Sequence, residues 1–187
     1  MRVIAGTARG IRLTAPAGMK TRPTADRVKE ALFSIITSRY DLTGMRVLDL
    51  CAGSGALGIE ALSRGAATAC FVEQDRRAAI VIEKNLAACG FGTRSQLLAL
   101  DALAGLRLLL RRGEAFDLVF FDPPYASGLY PPVLELLGSQ PLTADSALVV
   151  AECSPRAPLE ERYGKLVSDS RRVYGEVALE FFNREQS

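Results

Sequence analysis

Short unbroken apolar runs alternate with amphipathic stretches along most of the chain. Val47-Leu48-Asp49-Leu50, Ala69-Cys70-Phe71-Val72, Gln96 to Leu100, Phe116 to Phe121 and Ala147 to Ala151 each read as a strand covered on both faces. Between them lie helical patterns: one to Arg64 with Gly65 as its stop, one from Asp75 through Ala78, Ile82 and Leu86 to Gly90, an Ala/Leu-rich one to Arg112-Gly113, and one around Pro132 to Leu137. An earlier helix is expected from Thr24 as N-cap, with Val28, Ala31, Leu32, Ile35 and Ile36 as its apolar stripe and Arg27, Lys29 and Glu30 facing away. At the end, 165–173 and 176–182 are β-rich runs joined at Tyr174-Gly175, too close for a helix and so antiparallel. At the start, Arg2 to Gly6 and Ile11 to Leu13 alternate about a glycine turn and predict a β-hairpin, which needs something to lean on. The pattern predicts an α/β, Rossmann-like fold: a mainly parallel seven-stranded sheet with an antiparallel last strand, plus the N-terminal hairpin. It divides into a hairpin and basic link at 1–22 and a main domain at 23–187.

Composition narrows the chemistry. The 187 residues are 49% apolar and 24% charged, which is globular. No apolar run is long enough to span a bilayer, and Met1-Arg2-Val3-Ile4 is too short for a signal-peptide core, so a cytoplasmic protein is expected. Four scattered cysteines form no C-x-x-C pair and histidine is absent, which argues against a metal site and removes imidazole chemistry altogether. Residues 1–46 carry nine Lys/Arg against three Asp/Glu, and the remainder fourteen against eighteen. A basic arm on a mildly acidic body suggests a polyanionic partner, with Arg9, Arg12 and Lys20 as the candidate contacts.

The central stretch is Val47 to Gly58, a strand running into a glycine-rich turn and a helix. Gly53, Gly55 and Gly58 spell G-x-G-x-x-G, with Glu73 twenty residues after Gly53, so a dinucleotide is one reading. Asp49 argues for another. A carboxylate beside this turn repels a pyrophosphate and suits a cation. S-adenosylmethionine carries an ammonium and a sulfonium and no phosphate, while its ribose still wants an acid such as Glu73.

Asp49, Glu73, Asp101 and Asp122 all fall at strand ends, where a parallel sheet binds its ligands, although Asp101 especially also suits a helix N-cap. Asp122-Pro123-Pro124-Tyr125 follows the fourth parallel strand. Its prolines stiffen a turn that leaves the Asp122 carboxylate and the Pro123 carbonyl as acceptors for the two hydrogens of an exocyclic nucleobase amine. Tyr125 offers a flat face for a base taken out of its stack.

Arg22 to Phe33, Val47 to Ala66, Asp122 to Tyr125 and Arg172-Val173-Tyr174-Gly175 together resemble the RsmD family of bacterial 16S ribosomal RNA guanine-N2 methyltransferases, and the likeness covers nearly the whole chain. The resemblance implies a class I, S-adenosylmethionine-dependent enzyme that methylates the N2 amine of a guanine in 16S rRNA, in the small subunit or an assembly intermediate. It implies that Asp49, Ala52, Gly53, Ser54 and Gly55 line the methionine end of the cofactor, with Glu73 and Gln74 at the ribose and Asp101 and Ala102 at the adenine. Arg22 and Thr24 would close the pocket, while Asp122, Pro123 and Tyr125 hold the guanine. Cys51 stands where the family often has an aromatic residue, a position that need not face the ligand. A DNA adenine-N6 or cytosine-N4 methyltransferase is the nearest alternative, although no segment is spare for target recognition. An NAD(P)-binding oxidoreductase is the alternative from another class and gives Asp122 to Tyr125 no role.

Overall fold

The structure, a computed structural model, describes residues 1–16 and 23–185, and of residues 23–25 the backbone alone. Five strands, β1 (Arg46–Leu50), β2 (Thr68–Val72), β3 (Ser95–Leu98), β4 (Phe116–Phe121) and β5 (Thr143–Cys153), run parallel. Three more, β6 (Arg162–Tyr163), β7 (Leu166–Tyr174) and β8 (Val177–Arg184), complete the sheet in antiparallel pairs. The spatial order is β3-β2-β1-β4-β5-β8-β7-β6. Eight strands stand where seven were expected, because two residues turn back at Gly164 to pair with the start of β7. The order reverses between β1 and β4, and a crevice opens there beyond the carboxyl ends of the strands.

The helices are α1 (Pro23–Arg39), α2 (Ala56–Ser63), α3 (Arg76–Cys89), α4 (Ala102–Arg111) and α5 (Tyr130–Ser139). Alternate residues of the buried strands feed opposite layers. Phe120 packs with α1, α2 and α3, and its ring lies 5.6 Å from that of Phe33; Phe121 joins Leu106, Leu109, Val133 and Leu137 of α4 and α5 on the other face. No helix among the described residues is long and apolar enough to cross a membrane.

Two details of α1 differ from the pattern. The helix begins at Pro23, where a missing N–H costs nothing, so Thr24 lies inside the first turn and is not the N-cap. Lys29 does not face away: it is buried, with Nζ 2.7 Å from the Arg2 carbonyl and 3.4 Å from Glu60 Oε2. The N-terminal hairpin forms, but only Arg2 and Arg12 make a bridge pair. Val3, Gly10 and Leu13 donate across the hairpin, while the donors of Ile4, Ala5, Thr7 and Ala8 turn toward α2. Glu60, fully buried, accepts from the N–H groups of Ile4 and Ala5 at 2.8 and 3.0 Å, and Ser63 Oγ accepts from Ala8 N–H at 2.9 Å. Arg64 Nε lies 2.8 Å from Glu60 Oε1, so one carboxylate holds two cations and two backbone donors.

Glu60→Ala strands Lys29 and two backbone donors in the interior, and is expected to cost about 3–5 kcal/mol. Urea denaturation checks it; a loss below about 1 kcal/mol would show that the arm is held by something else.

Candidate active site

The turn after β1 takes its shape from three residues in the left-handed region: Cys51 (φ 59°), Gly53 (φ 57°) and Gly55 (φ 75°). Asp49, inside the strand and buried, accepts at Oδ2 from the Gly58 N–H at 2.9 Å. A side chain at 58 would run into the Phe71 ring and crowd that carboxylate, so glycine lets α2 sit close to the sheet. Glu73 stitches two turns together, Oε2 accepting from Gly53 N–H and Oε1 from Asp75 N–H, each at 2.8 Å. Asn85 of α3 accepts from Thr14 N–H at 2.8 Å and donates Nδ2 to the carbonyls of Thr14 and Ser54, both at 2.9 Å.

Above the ends of β1, β4 and β5 lies a cavity of about 600 Å³. Asp26, Asp49, Asp122, Glu152 and Glu176 line it against a single cationic side chain, that of Lys29, among the described residues. Burial, countered by the Gly58 hydrogen bond and reinforced by Glu73, raises the Asp49 carboxyl to about 7. Asp122 is open to the cavity but enclosed by protein on its other sides. That enclosure, then Glu152 and Asp49, holds it well above the usual carboxylate range. Glu152 is raised by burial too, against the Tyr125 hydroxyl that donates to its Oε1 at 3.3 Å. This wall repels a pyrophosphate and attracts a cation.

Residues 1–183 match the model of the family described as Conserved hypothetical protein 95. The chain belongs to that family. It is 37% identical over 184 residues to YlbH of Bacillus subtilis (strain 168), covering 98% of this chain and 99% of that protein. It is 35% identical over 185 residues to Ribosomal RNA small subunit methyltransferase D of Escherichia coli (strain K12), covering 99% and 90%. The solved structure of yhhF from Escherichia coli superposes with a TM-score of 0.85 at 34% identity, covering 100% of this chain and 99% of that one. The fold is that of class I methyltransferases.

In this family member, Asp49, Ala52, Gly53, Ser54, Asp122 and Tyr125, singled out from the sequence, line the cavity. Gly55 stands beside them as the left-handed residue that opens α2. Pro123 is buried under the turn and does not line the cavity. Glu73, Gln74, Asp101 and Ala102 also lie outside that lining, at the ends of β2 and β3. Gln74 is exposed, Ala102 is buried, and Asp101 caps α4 by accepting from Ala104 N–H at 2.9 Å. Arg22 and Lys20 lie outside the described residues, as does the side chain of Thr24. Cys51 also lines the cavity; burial and the carboxylates of Glu73, Asp122 and Asp49 push its thiol up to about 12, so it stays protonated. Arg9 and Arg12 are exposed, and the structure adds Arg2 and Arg27 to their patch: Arg2 is bridged to Arg12, and Arg2, Arg9 and Arg27 share a groove of about 370 Å³ with Asp26 and Glu30.

Sequence reasoning passed over Lys29, Glu152 and the Gly175-Glu176-Val177 turn as cavity residues. For Glu152 a signal existed, since it closes an apolar strand just as Asp122 does. For Lys29 none did, because its helical position is on the face expected to be solvated.

A carboxyl raised on folding holds its proton more tightly in the native state, so stability falls as pH climbs from about 4 to about 7 and is flat above. Asp49→Asn keeps an acceptor for Gly58 and loses the charge. Its thermal midpoint, without ligand, is expected to exceed the parent's by at least about 2–4 °C at pH 8, with the gain shrinking as pH is lowered through 7. A gain independent of pH contradicts the assignment.

Proposed function

We propose that this chain transfers a methyl group from S-adenosylmethionine to the exocyclic N2 amine of a guanine in 16S rRNA of the small ribosomal subunit. The observation that carries the reading is the placement of Asp122 and Tyr125 on one cavity wall with Asp49 and the glycine turn. Two recognition tasks then meet in one space: an acidic wall for a cationic donor and an acceptor-rich corner for an amine. The residues fit the donor, since the left-handed turn brings backbone close to the cavity and the acids oppose its charge. When bound, S-adenosylmethionine supplies a methyl group on a positively charged sulfur.

Asp49, Ala52, Gly53, Ser54 and Gly55 hold the methionine end in this reading. Glu73 keeps lone pairs for the ribose beyond the two backbone donors it already accepts, and Gln74, Asp101 and Ala102 border the adenine. Arg22 and Thr24 close the pocket. Asp122 accepts one amine hydrogen; the Pro123 carbonyl, on a residue outside the cavity lining, accepts the other once the turn shifts as the base enters, and Tyr125, 46% exposed at the rim, stacks on the base. As the nitrogen gains the methyl, it loses a proton; Asp122, held above the usual range, accepts it at a carboxylate oxygen. Binding energy comes from the arm formed by residues 1–22, where Arg2, Arg9, Arg12 and Lys20 contact phosphate. Arg2 directly opposite Arg12 costs stability unless an anion lies over the pair. Such work belongs in the cytoplasm.

Labelled methyl transfer to small subunits lacking the modification, followed by nucleoside analysis, tests the reading; N2-methylguanosine is expected, and any other product rejects it. Asp122→Ala is expected to lose at least about 100-fold in kcat while S-adenosylmethionine affinity stays within about twofold; retained activity removes Asp122 from its role. Arg2, Arg9 and Arg12 changed together to Ala are expected to lower the slope of log affinity against log salt by about 2, at about 0.7 per lost phosphate contact. An unchanged slope places the RNA elsewhere.

A further inference from the structure

Glu152 is the penultimate residue of β5, beside the residue proposed to hold the amine. Phe121 of β4 pairs in register with Ala151 of β5, so Asp122 and Glu152 are each one residue past a matched pair on neighbouring parallel strands, and both line the cavity. The backbone of Glu152 is pinned from two sides: it pairs with Leu179 of β8, and its carbonyl accepts from the Tyr130 hydroxyl at 2.8 Å. Its side chain is oriented by the Tyr125 hydroxyl, which donates to Oε1 at 3.3 Å. Among the described residues, no donor meets Oε2. Glu152 Oε2 is therefore available to accept from a ligand in the cavity, beside an acid already assigned to the amine.

Nucleobases differ in what stands next to the exocyclic amine. In guanine the N2 amine is flanked by the N3 lone pair on one side and, on the Watson–Crick edge, by N1–H, a donor. In adenine and cytosine the ring nitrogen next to the amine is a lone pair. Two adjacent carboxylates, one facing the amine and one facing the ring nitrogen, match a donor-donor edge and oppose a donor-acceptor edge.

We infer that Glu152 is the residue that selects guanine, its free carboxylate oxygen accepting N1–H while Asp122 takes the adjacent amine and Tyr125 both orients Glu152 and supports the base. The inference rests on the guanine-N2 reading and adds to it a residue and a reason for base choice. The elevated carboxyls of Asp122 and Glu152 agree with this, since two crowded acids with acceptor oxygens to spare are relieved when a donor-donor edge arrives. Glu152 then discriminates mainly through the wrong base, whose ring nitrogen would bring a lone pair against a carboxylate.

The test uses small subunits reconstituted with 16S RNA that carries either guanine or 2-aminopurine at the methylated position. 2-Aminopurine keeps the N2 amine, replaces N1–H with a lone pair and also lacks O6, so the change in the guanine preference on Glu152→Gln, and not the wild-type preference alone, reads the N1 contact. The wild-type enzyme is expected to prefer guanine by at least about 100-fold in kcat/KM, as sites built to hydrogen-bond a donor reject analogues that lack it. Glu152→Gln can turn its amide N–H toward a lone pair, and is expected to narrow that preference at least about tenfold. A merely structural role would lower both rates together and leave their ratio alone. Equal wild-type rates on the two substrates overturn the inference without any variant, and an unchanged ratio in Glu152→Gln overturns it too, in both cases with N2-methylguanosine still forming on the guanine substrate. If no N2-methylguanosine forms even there, the guanine-N2 reading itself has failed.

Discussion

A carboxylate with almost no access to water sits one residue from the end of the central strand, and its surroundings are arranged to keep it there. Asp49 receives one backbone donor, from Gly58, and that donor reaches it only because residue 58 has no side chain. Every other feature of the cavity is stacked on this contact: α2 lies flat against the sheet, the turn before it passes through three left-handed residues, and Glu73 ties the turn to the next strand. The cost is an acid held away from the solvent that would ionise it comfortably. Such a group stabilises nothing in the empty protein; it is useful when a positive charge arrives beside it.

The antiparallel end of the sheet contributes in a different way. β5 has parallel β4 on one side and antiparallel β8 on the other, so its last residues are fixed by two unlike ladders. The β7–β8 turn, Gly175 to Val177, then folds back to form part of the cavity wall. The antiparallel strands thus bring a late stretch of sequence to the rim that the parallel strands already define.

Much of this was legible in the sequence because both signals are short-range. Continuous apolar strands alternating with amphipathic helices can hardly form anything but a covered parallel sheet, and acids closing such strands must gather at one edge. Asp75 and Asp101 were equally readable as caps, and both accept from the helix they precede. What stayed hidden depends on partners far along the chain. Lys29 reads as a surface lysine until Glu60 and the Arg2 carbonyl are brought to it. The hairpin reads as two strands until α2 claims the donors of Ile4, Ala5 and Ala8. Phe33 lies outside the expected stripe of α1, yet is wholly buried, because the Phe120 ring meets it and Arg64 covers its face at 4.9 Å.

One small clasp joins the two halves of the molecule's work. The Asn85 amide grips the main chain of Thr14 at one end of the basic arm and the Ser54 carbonyl in the glycine turn, so a single side chain fastens both. Both segments hang on the same side chain, so an opening that moves Asn85 off its place releases the two together. Their amide protons should therefore exchange with solvent as one cooperative unit, although more than thirty residues separate them along the chain.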